Sequence, residues 1–501
     1  VCRKDSVFVC DADRAKGWTW NEVDLASGRL AIQLTKNRSS ATVAFICASH
    51  SVAYIKSLLA AWRSGLLPVL IHEDYTEYEW NQARKTAGDK EAVLLLEEGL
   101  KPRFLSNEVS RLTIVSVAPF CEDRSDDADS SSDHRSLRFE TATAPRSVDE
   151  CALGLFTSGT SASPKLIVFK HRDLIAAARI EKSNDVLVSG KRILNLRPHF
   201  TSGGLNTLWP VLLSGGTIGL SDRTRRRPLA RFLGEVLKTP YDLLVMSPAS
   251  IRSLCDSLQD KPIGVHGLPL YFGGMTLPQV VVDDLVKAGL VPEMRYGMTE
   301  FAHILSKRPF GPAERDVQRA QGDVGLCYSG FEVRELNGRL AFRSDGMASF
   351  ECRDGQMIGL RDQEGWYVTD DRGSLVQENE GIRIVLEGRE HEVIAVNGFR
   401  FHSSQVESAL SELQTSGLIH ECRAIGFSDE RTGQRLVLFW NAKEPLDEKT
   451  CKNREIQIHR HSLEKLSPFK RPTDLVYVDA WPYMANGKTD LAALRKRYRP
   501  A

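Results

Sequence analysis

Phe156-Thr157-Ser158-Gly159-Thr160-Ser161-Ala162-Ser163-Pro164-Lys165 carries five hydroxyl side chains, one glycine and one lysine. Leu153, Leu155 and Phe156 read as an apolar strand that delivers the segment. Hydroxyls, exposed backbone N–H groups and a cation match the oxygens of a phosphate chain. The segment is not a Walker A loop, because the second glycine and the Gly-Lys-Ser/Thr ending are missing. Taken alone it also reads as a solvated Ser/Thr turn.

Upstream, Ala41–Cys47 reads as a buried strand. Val52, Ile55, Leu58, Leu59 and Trp62 follow at helical spacing, and Leu66–Ile71 forms a second apolar run. Strand, helix and strand make a βαβ unit, which implies a mostly parallel sheet. Residues 122–134 are acidic and Ser-rich, with Ala128 as the one apolar side chain, and read as a surface loop or connector.

The chain has 501 residues, too many for one core. A formal net charge of +1 gives no overall field for nucleic acid or an anionic membrane. The 10 cysteines are scattered, without a Cys-x-x-Cys pair or zinc-like spacing. That pattern fits a reducing compartment and argues against a disulfide framework. No apolar run reaches the ~18–20 residues of a membrane span. The start lacks the apolar core of a signal peptide, so a cytoplasmic protein is expected.

Further segments carry possible chemistry. Paired glycines in Leu270-Tyr271-Phe272-Gly273-Gly274-Met275 let a flat ligand approach the backbone, or simply make a turn. Tyr296-Gly297-Met298-Thr299-Glu300 offers a ring for a base, a hydroxyl for a phosphate and a carboxylate for Mg²⁺. A capped helix start is the plain alternative. Thr369-Asp370-Asp371 offers a carboxylate to a ribose diol, with a β-turn as its plain reading. Gly388-Arg389-Glu390-His391 precedes Asn397-Gly398-Phe399-Arg400, where Asn-Gly signals a hairpin. Asn486-Gly487-Lys488 presents one lysine on a turn near the C-terminus.

In this order, with the lysine last, the segments resemble the adenylate-forming (AMP-binding) superfamily of acyl- and aryl-CoA synthetases, stand-alone adenylation domains and luciferases. The resemblance runs from the Ser/Thr/Gly loop to Lys488. It implies an α/β fold, with a large N-terminal domain (1–388) of mostly parallel sheets flanked by helices and a small mobile α+β C-terminal domain (389–501). The small domain is expected to carry strands at 393–396 and 435–439 and helices at 404–413 and 456–466.

The resemblance also implies roles. Thr157, Ser158, Gly159, Thr160 and Lys165 hold the ATP phosphates, with Gly274 also on the nucleotide. Tyr296 lies beside the adenine, Thr299 contacts the α-phosphate, and Glu300 is the Mg²⁺ ligand. Asp371 holds the ribose, helped by Arg389, and Arg400 lies on the phosphate side. Lys488 is the catalytic lysine that reaches the acid's carboxylate and the α-phosphate. The acid pocket falls to His199, Phe200, Thr201, Ser202, Gly203, Phe272, Gly297 and Phe301. Gly398 lines the path of the thiol, free CoA or carrier-protein phosphopantetheine, and His391 is the hinge.

The chemistry is consistent with those roles. A carboxylate that attacks an anionic α-phosphate needs charge neutralisation and alignment. It needs no general base, because it is already ionised near pH 7. Several positions depart from the family pattern. Ala162 stands for a glycine, Asp370 for the glycine of Thr-Gly-Asp, and His391 for Asp or Lys. Ala395 replaces a frequent lysine and Leu491 an arginine. Thr201 stands where amino-acid-activating relatives carry aspartate, which favours an aryl or fatty acid. The expected function is ATP-dependent activation of a carboxylic acid followed by transfer to a thiol. The alternative is a non-catalytic nucleotide-binding or carrier-docking protein of the same fold.

Overall fold

The computed structural model describes the chain except for residues 1–3, 13–15, 38–39, 74, 76, 89–90, 106–111, 118–146, 158–164, 186–189, 222–227, 259–262, 275–276, 278, 311–321, 390–392, 397–398, 430–432, 467–469, 485–486 and 499–501. The acidic connector at 122–134 and most of the Ser/Thr/Gly loop therefore lie outside the described residues.

The expected βαβ unit is present. Val43–Cys47 is buried along its whole length and pairs in parallel with Leu67–Leu70 on one side and Ala92–Glu97 on the other. A strand with neighbours on both edges and cover on both faces has no polar side, so its sequence is an unbroken apolar run. The connecting helix, Val52–Ser64, starts at Ser51, whose side chain accepts from the Ala53 N–H. It stops at Gly65, which takes the left-handed conformation (φ 74°) that a side chain would strain. Ahead of the unit, Thr19 and Glu22 form a reciprocal capping box for the helix Trp20–Asn37.

Among the described residues, two large sheets, of 13 and 8 strands, make up the N-terminal part. Inside the smaller sheet, the antiparallel hairpin Cys151–Thr157 and Lys165–Lys170 lies between Leu67–Leu70 and Phe350–Arg353. The larger sheet is parallel from Val7–Asp11 through to Leu290–Tyr296 and antiparallel beyond it. Leu290–Tyr296 is the pivot, parallel to Leu268–Gly273 on one edge and antiparallel to Ser306–Pro309 on the other. In open α/β sheets, ligands bind outside the carboxyl ends of the parallel strands. The carboxyl end of this pivot strand carries Tyr296, Gly297, Thr299 and Glu300.

After Arg389 the chain builds a separate five-stranded sheet with its own apolar cores around Trp440, Leu438, Phe439 and Val478. The helix expected at 404–413 is two short helices, Ser403–Ala409 and Ser411–Thr415, interrupted at buried Leu410. The helix expected at 456–466 begins earlier, at Glu448. Asp447 caps it by accepting from the Thr450 N–H at 2.9 Å. Its first turns are polar, so apolar periodicity does not reveal them. This C-terminal part rests on the helix Pro248–Leu258. Arg252 pairs there with Glu421, and Lys443 pairs with Asp256 at 3.1 Å. No described helix is long and apolar enough to cross a membrane.

Candidate functional site

Thr157 and Lys165 face each other as the last register pair of two antiparallel strands. Ser158, Gly159 and Thr160, between them in sequence, lie outside the described residues. Lys165 is half-buried at the start of its strand.

Residues from two distant motifs meet beside the pivot strand. The buried Tyr296 hydroxyl donates to the Asp371 carboxylate at 2.6 Å. Asp371 sits on the strand Tyr367–Glu378, and its backbone N–H donates to the Thr369 hydroxyl at 3.1 Å. Across the ladder Asp371 pairs with Arg389, at the end of Gly381–Arg389 and next to the expected hinge. Asp370 points the other way. It is exposed and pairs with Arg339 at 3.1 Å, outside the Tyr296–Asp371 contact.

The Tyr367 hydroxyl donates to Glu300 at 3.0 Å. Burial, and then the Glu300 charge, push that phenol upward, so it stays a proton donor at neutral pH. Among the described residues no three His, Cys, Asp or Glu side chains form a metal cage. Mg²⁺ in nucleotide sites is held by one or two carboxylates together with substrate phosphates. The half-buried Glu300 offers that kind of donor set.

The expected acid-pocket residues divide. Phe272 lines a narrow cleft, partly open to solvent and with room for about one water molecule, together with Glu181, Asp185, Arg197, Asn206, Thr207, Val245, Tyr271, Arg295 and Ile304. Thr201 caps the turn Ser202–Leu205, accepting from the Gly204 N–H at 3.2 Å. Phe301 is enclosed among Phe331, Phe342 and Tyr367 and does not reach the cleft. His199 is buried in a stack with Tyr54 (4.5 Å) and His50 (5.6 Å). Burial, and then His50 and His72, hold it well below the usual imidazole value, so it is neutral.

The charged groups of the cleft are absent from the motif reading. Arg295 is buried among counter-charges: it pairs with Asp185 at 2.8 Å, lies 2.5 Å from Glu293, bonds the Tyr328 hydroxyl, and lies 3.6 Å over the Tyr271 ring. Glu181 accepts from the Ile304 N–H at 2.6 Å. Burial pushes its carboxyl up to about 7, against the pull of Arg295. Arg197 has no side-chain partner among the described residues, and its Nε is enclosed and unbonded. Burial alone lowers its guanidinium to about 10.

Glu181 did leave a signal in the sequence. Asp173, Leu174, Ala177, Ala178 and Glu181 are the buried residues of the helix His171–Asn184, so carboxylates stand beside an apolar stripe.

Residues 2–339 match the model of the AMP-binding enzyme family. The chain belongs to that family. Among its curated relatives, the Escherichia coli medium-chain fatty-acid–CoA ligase is 24% identical over 70% of this chain and 61% of its own length. A Haemophilus influenzae 2-succinylbenzoate–CoA ligase is 25% identical over 63% of this chain and 64% of its own. The chain thus spans less than two thirds of the length of these two relatives. Solved AMP-binding enzymes share the fold. MatB from Rhodopseudomonas palustris with bound ATP aligns with a TM-score of 0.78 at 19% identity, covering 99% of this chain and 96% of that one. The Bacillus subtilis o-succinylbenzoate CoA synthetase aligns at 0.75 and 17%, covering 98% and 96%.

In this AMP-binding enzyme Lys488 lies on a tight C-terminal hairpin. Met484 N–H donates to the Lys488 carbonyl at 2.8 Å, and Tyr483 pairs with Thr489. The Trp481 indole donates to the Thr489 hydroxyl at 3.2 Å. Tyr483 also bonds Glu421 and Arg252, so the hairpin is tied to the contact between the two parts of the chain. Arg400 pairs with Ala395 in the hairpin Val393–Val396 and Phe399–His402. Gly398 and His391 lie outside the described residues.

Proposed function

We propose that this chain activates a carboxylic acid with ATP and passes the acyl group to a thiol. In the first step the carboxylate oxygen bonds the α-phosphorus and pyrophosphate leaves, giving an acyl-adenylate. In the second the thiol sulfur bonds the acyl carbon, AMP leaves and the thiol proton is released. The observation that carries this reading is the Tyr296–Asp371 hydrogen bond. It joins residues 75 positions apart into one buried contact, beside the strand end that bears Thr299 and Glu300. Asp371 is the proposed ribose ligand, Glu300 the Mg²⁺ ligand, and Lys488 the cation that neutralises charge between carboxylate and phosphate. Thr157 and Lys165, at the foot of their hairpin, are proposed to flank the phosphates.

Residues 1–388 and 389–501 are the proposed working units, with His391 at the hinge between them and Gly398 on the thiol path. CoA is the favoured thiol, since the relatives are named as CoA ligases; a carrier-protein phosphopantetheine is the alternative acceptor. An aryl or fatty acid is the favoured class, since the pocket-lining segment carries Thr201 rather than a carboxylate. A cytoplasmic location is proposed with it. Acid-dependent pyrophosphate release over a panel of aryl, aliphatic and amino acids tests the reading. Release with none of them refutes it in favour of a non-catalytic nucleotide-binding protein.

A further inference from the structure

Two hydrogen bonds cross between the end of the pivot strand and the strand Tyr367–Glu378, and they are reciprocal. Tyr296 on the first segment donates to Asp371 on the second at 2.6 Å, and Tyr367 on the second donates to Glu300 on the first at 3.0 Å. Tyr367, Thr369 and Asp371 stand at alternate positions of their strand, while Asp370 between them is exposed. The backbone at Glu300 is fixed as well. Its carbonyl accepts from the Ala348 N–H at 2.8 Å, and the next residue, Phe301, bridges to Met347. The Tyr367 ring is held by its ladder pairing with Phe342 and by an edge contact with Phe301 at 6.2 Å. The remaining freedom lies in the Glu300 side chain, and the Tyr367 hydroxyl reduces it by bonding Oε1. A carboxylate has about four lone-pair sites on its two oxygens, so one bond from a phenol leaves it able to meet a cation.

We propose that Tyr367 is a positioning residue for Glu300: its hydroxyl holds the carboxylate in the orientation that receives Mg²⁺ together with the nucleotide's phosphates. This inference rests on the proposed ligase reading, in which Glu300 is the Mg²⁺ ligand and Asp371 the ribose ligand, and it adds the group behind the metal ligand. A hydrogen-bond partner behind a ligand fixes that ligand's orientation, and losing it typically costs roughly 10- to 100-fold in metal affinity. The strand that carries the ribose ligand thus also orients the metal ligand, through a side chain four residues earlier. Tyr367→Phe removes the hydroxyl and keeps the ring, so the packing against Phe301 is retained.

The test is nucleotide binding by calorimetry with no acid present, so it needs no turnover. Tyr367→Phe is expected to weaken ATP binding in Mg²⁺ by roughly 10-fold or more. AMP binding in a chelator, which draws on Asp371 and on no metal, should change by less than about twofold, the margin for independent sites. In a Glu300→Gln background, where the metal ligand is already gone, Tyr367→Phe should cost less than about twofold further in ATP binding with Mg²⁺. An unchanged ATP affinity in Tyr367→Phe overturns the proposal. So does an equal loss of AMP binding, which makes the residue a general support of the fold. A full further loss in the Glu300→Gln background also overturns it, because Tyr367 then acts through some other group. Pyrophosphate release keeps the two readings apart. The expected binding pattern with no pyrophosphate from any acid removes the ligase reading and leaves Tyr367 behind a metal ligand. ATP binding that Mg²⁺ does not strengthen in the wild-type chain removes both.

Discussion

Glu181 ties the pH dependence of stability to the cleft. Its carboxyl is held near 7, against an ordinary value of 4.5, first by burial. The raised pKa means that the folded state keeps the proton where the unfolded chain has released it. The stabilisation is fully present below about pH 4.5 and is lost as the pH rises through about 7. At ~1.4 kcal/mol per pKa unit, the loss comes to about 3 kcal/mol. Glu181→Gln keeps an oxygen for the Ile304 N–H and removes the ionisation. With roughly 1 kcal/mol/K of unfolding entropy for a chain of 501 residues, the shift amounts to roughly 3 °C. The assay is the difference in Tm between wild type and Glu181→Gln from pH 4.5 to 8, by calorimetry. The variant is expected to gain on the wild type by roughly that amount as the pH rises. Parallel curves over the whole range would mean that Glu181 titrates normally, and that burial in this cleft does not control its charge.

Lys488→Ala is expected to slow adenylate formation by roughly 10²–10³-fold, the usual loss of ~3–4 kcal/mol for one charge-stabilising group. Thioester formation from supplied acyl-adenylate should stay near wild type; equal slowing of both half-reactions counts against separate conformations for the two steps. Arg252→Ala and Glu421→Ala, singly and together, should show a coupling of about 1–2 kcal/mol in unfolding of the C-terminal part, because both partners are largely enclosed. Additive losses would mean that the pair does not fasten the two parts. Arg295→Met should destabilise by ~3–5 kcal/mol in urea unfolding, since it leaves Asp185 and Glu293 buried without their cation. Arg197→Met should cost little or be stabilising in the same experiment, and a comparable loss would point to a partner for Arg197.

Much of the fold was legible because its signals are local. The unbroken apolar run at Val43–Cys47, the cap at Ser51 and the order of the glycine-bearing segments each lie in one stretch of chain. The cleft was not legible in the same way. Glu181 comes from a helix, Arg197 from the residues after a strand, Arg295 from the pivot strand and Asp185 from the end of the Glu181 helix, and only tertiary packing brings them together. Each looks like an ordinary surface charge in sequence. Glu181, like Asp173 on the same helix, stands as a carboxylate on a buried face, and reading it as a buried carboxylate would have found it. The broken helix at Leu410 was missed for a related reason: apolar spacing there continues through the interruption.

The two arginines show how a buried charge can be read without a bound ligand. A cation that is part of the architecture brings its counter-charges with it, as Arg295 does with Asp185, Glu293 and the Tyr328 hydroxyl. Such a group costs stability when it is removed and says little about substrate. Arg197 has no counter-charge among the described residues, and its guanidinium lies against Gly203, where an added Cβ would clash with it. A methionine of similar length would fill the same space without the desolvation cost. That contrast is what the comparison of Arg295→Met with Arg197→Met in urea unfolding reads out.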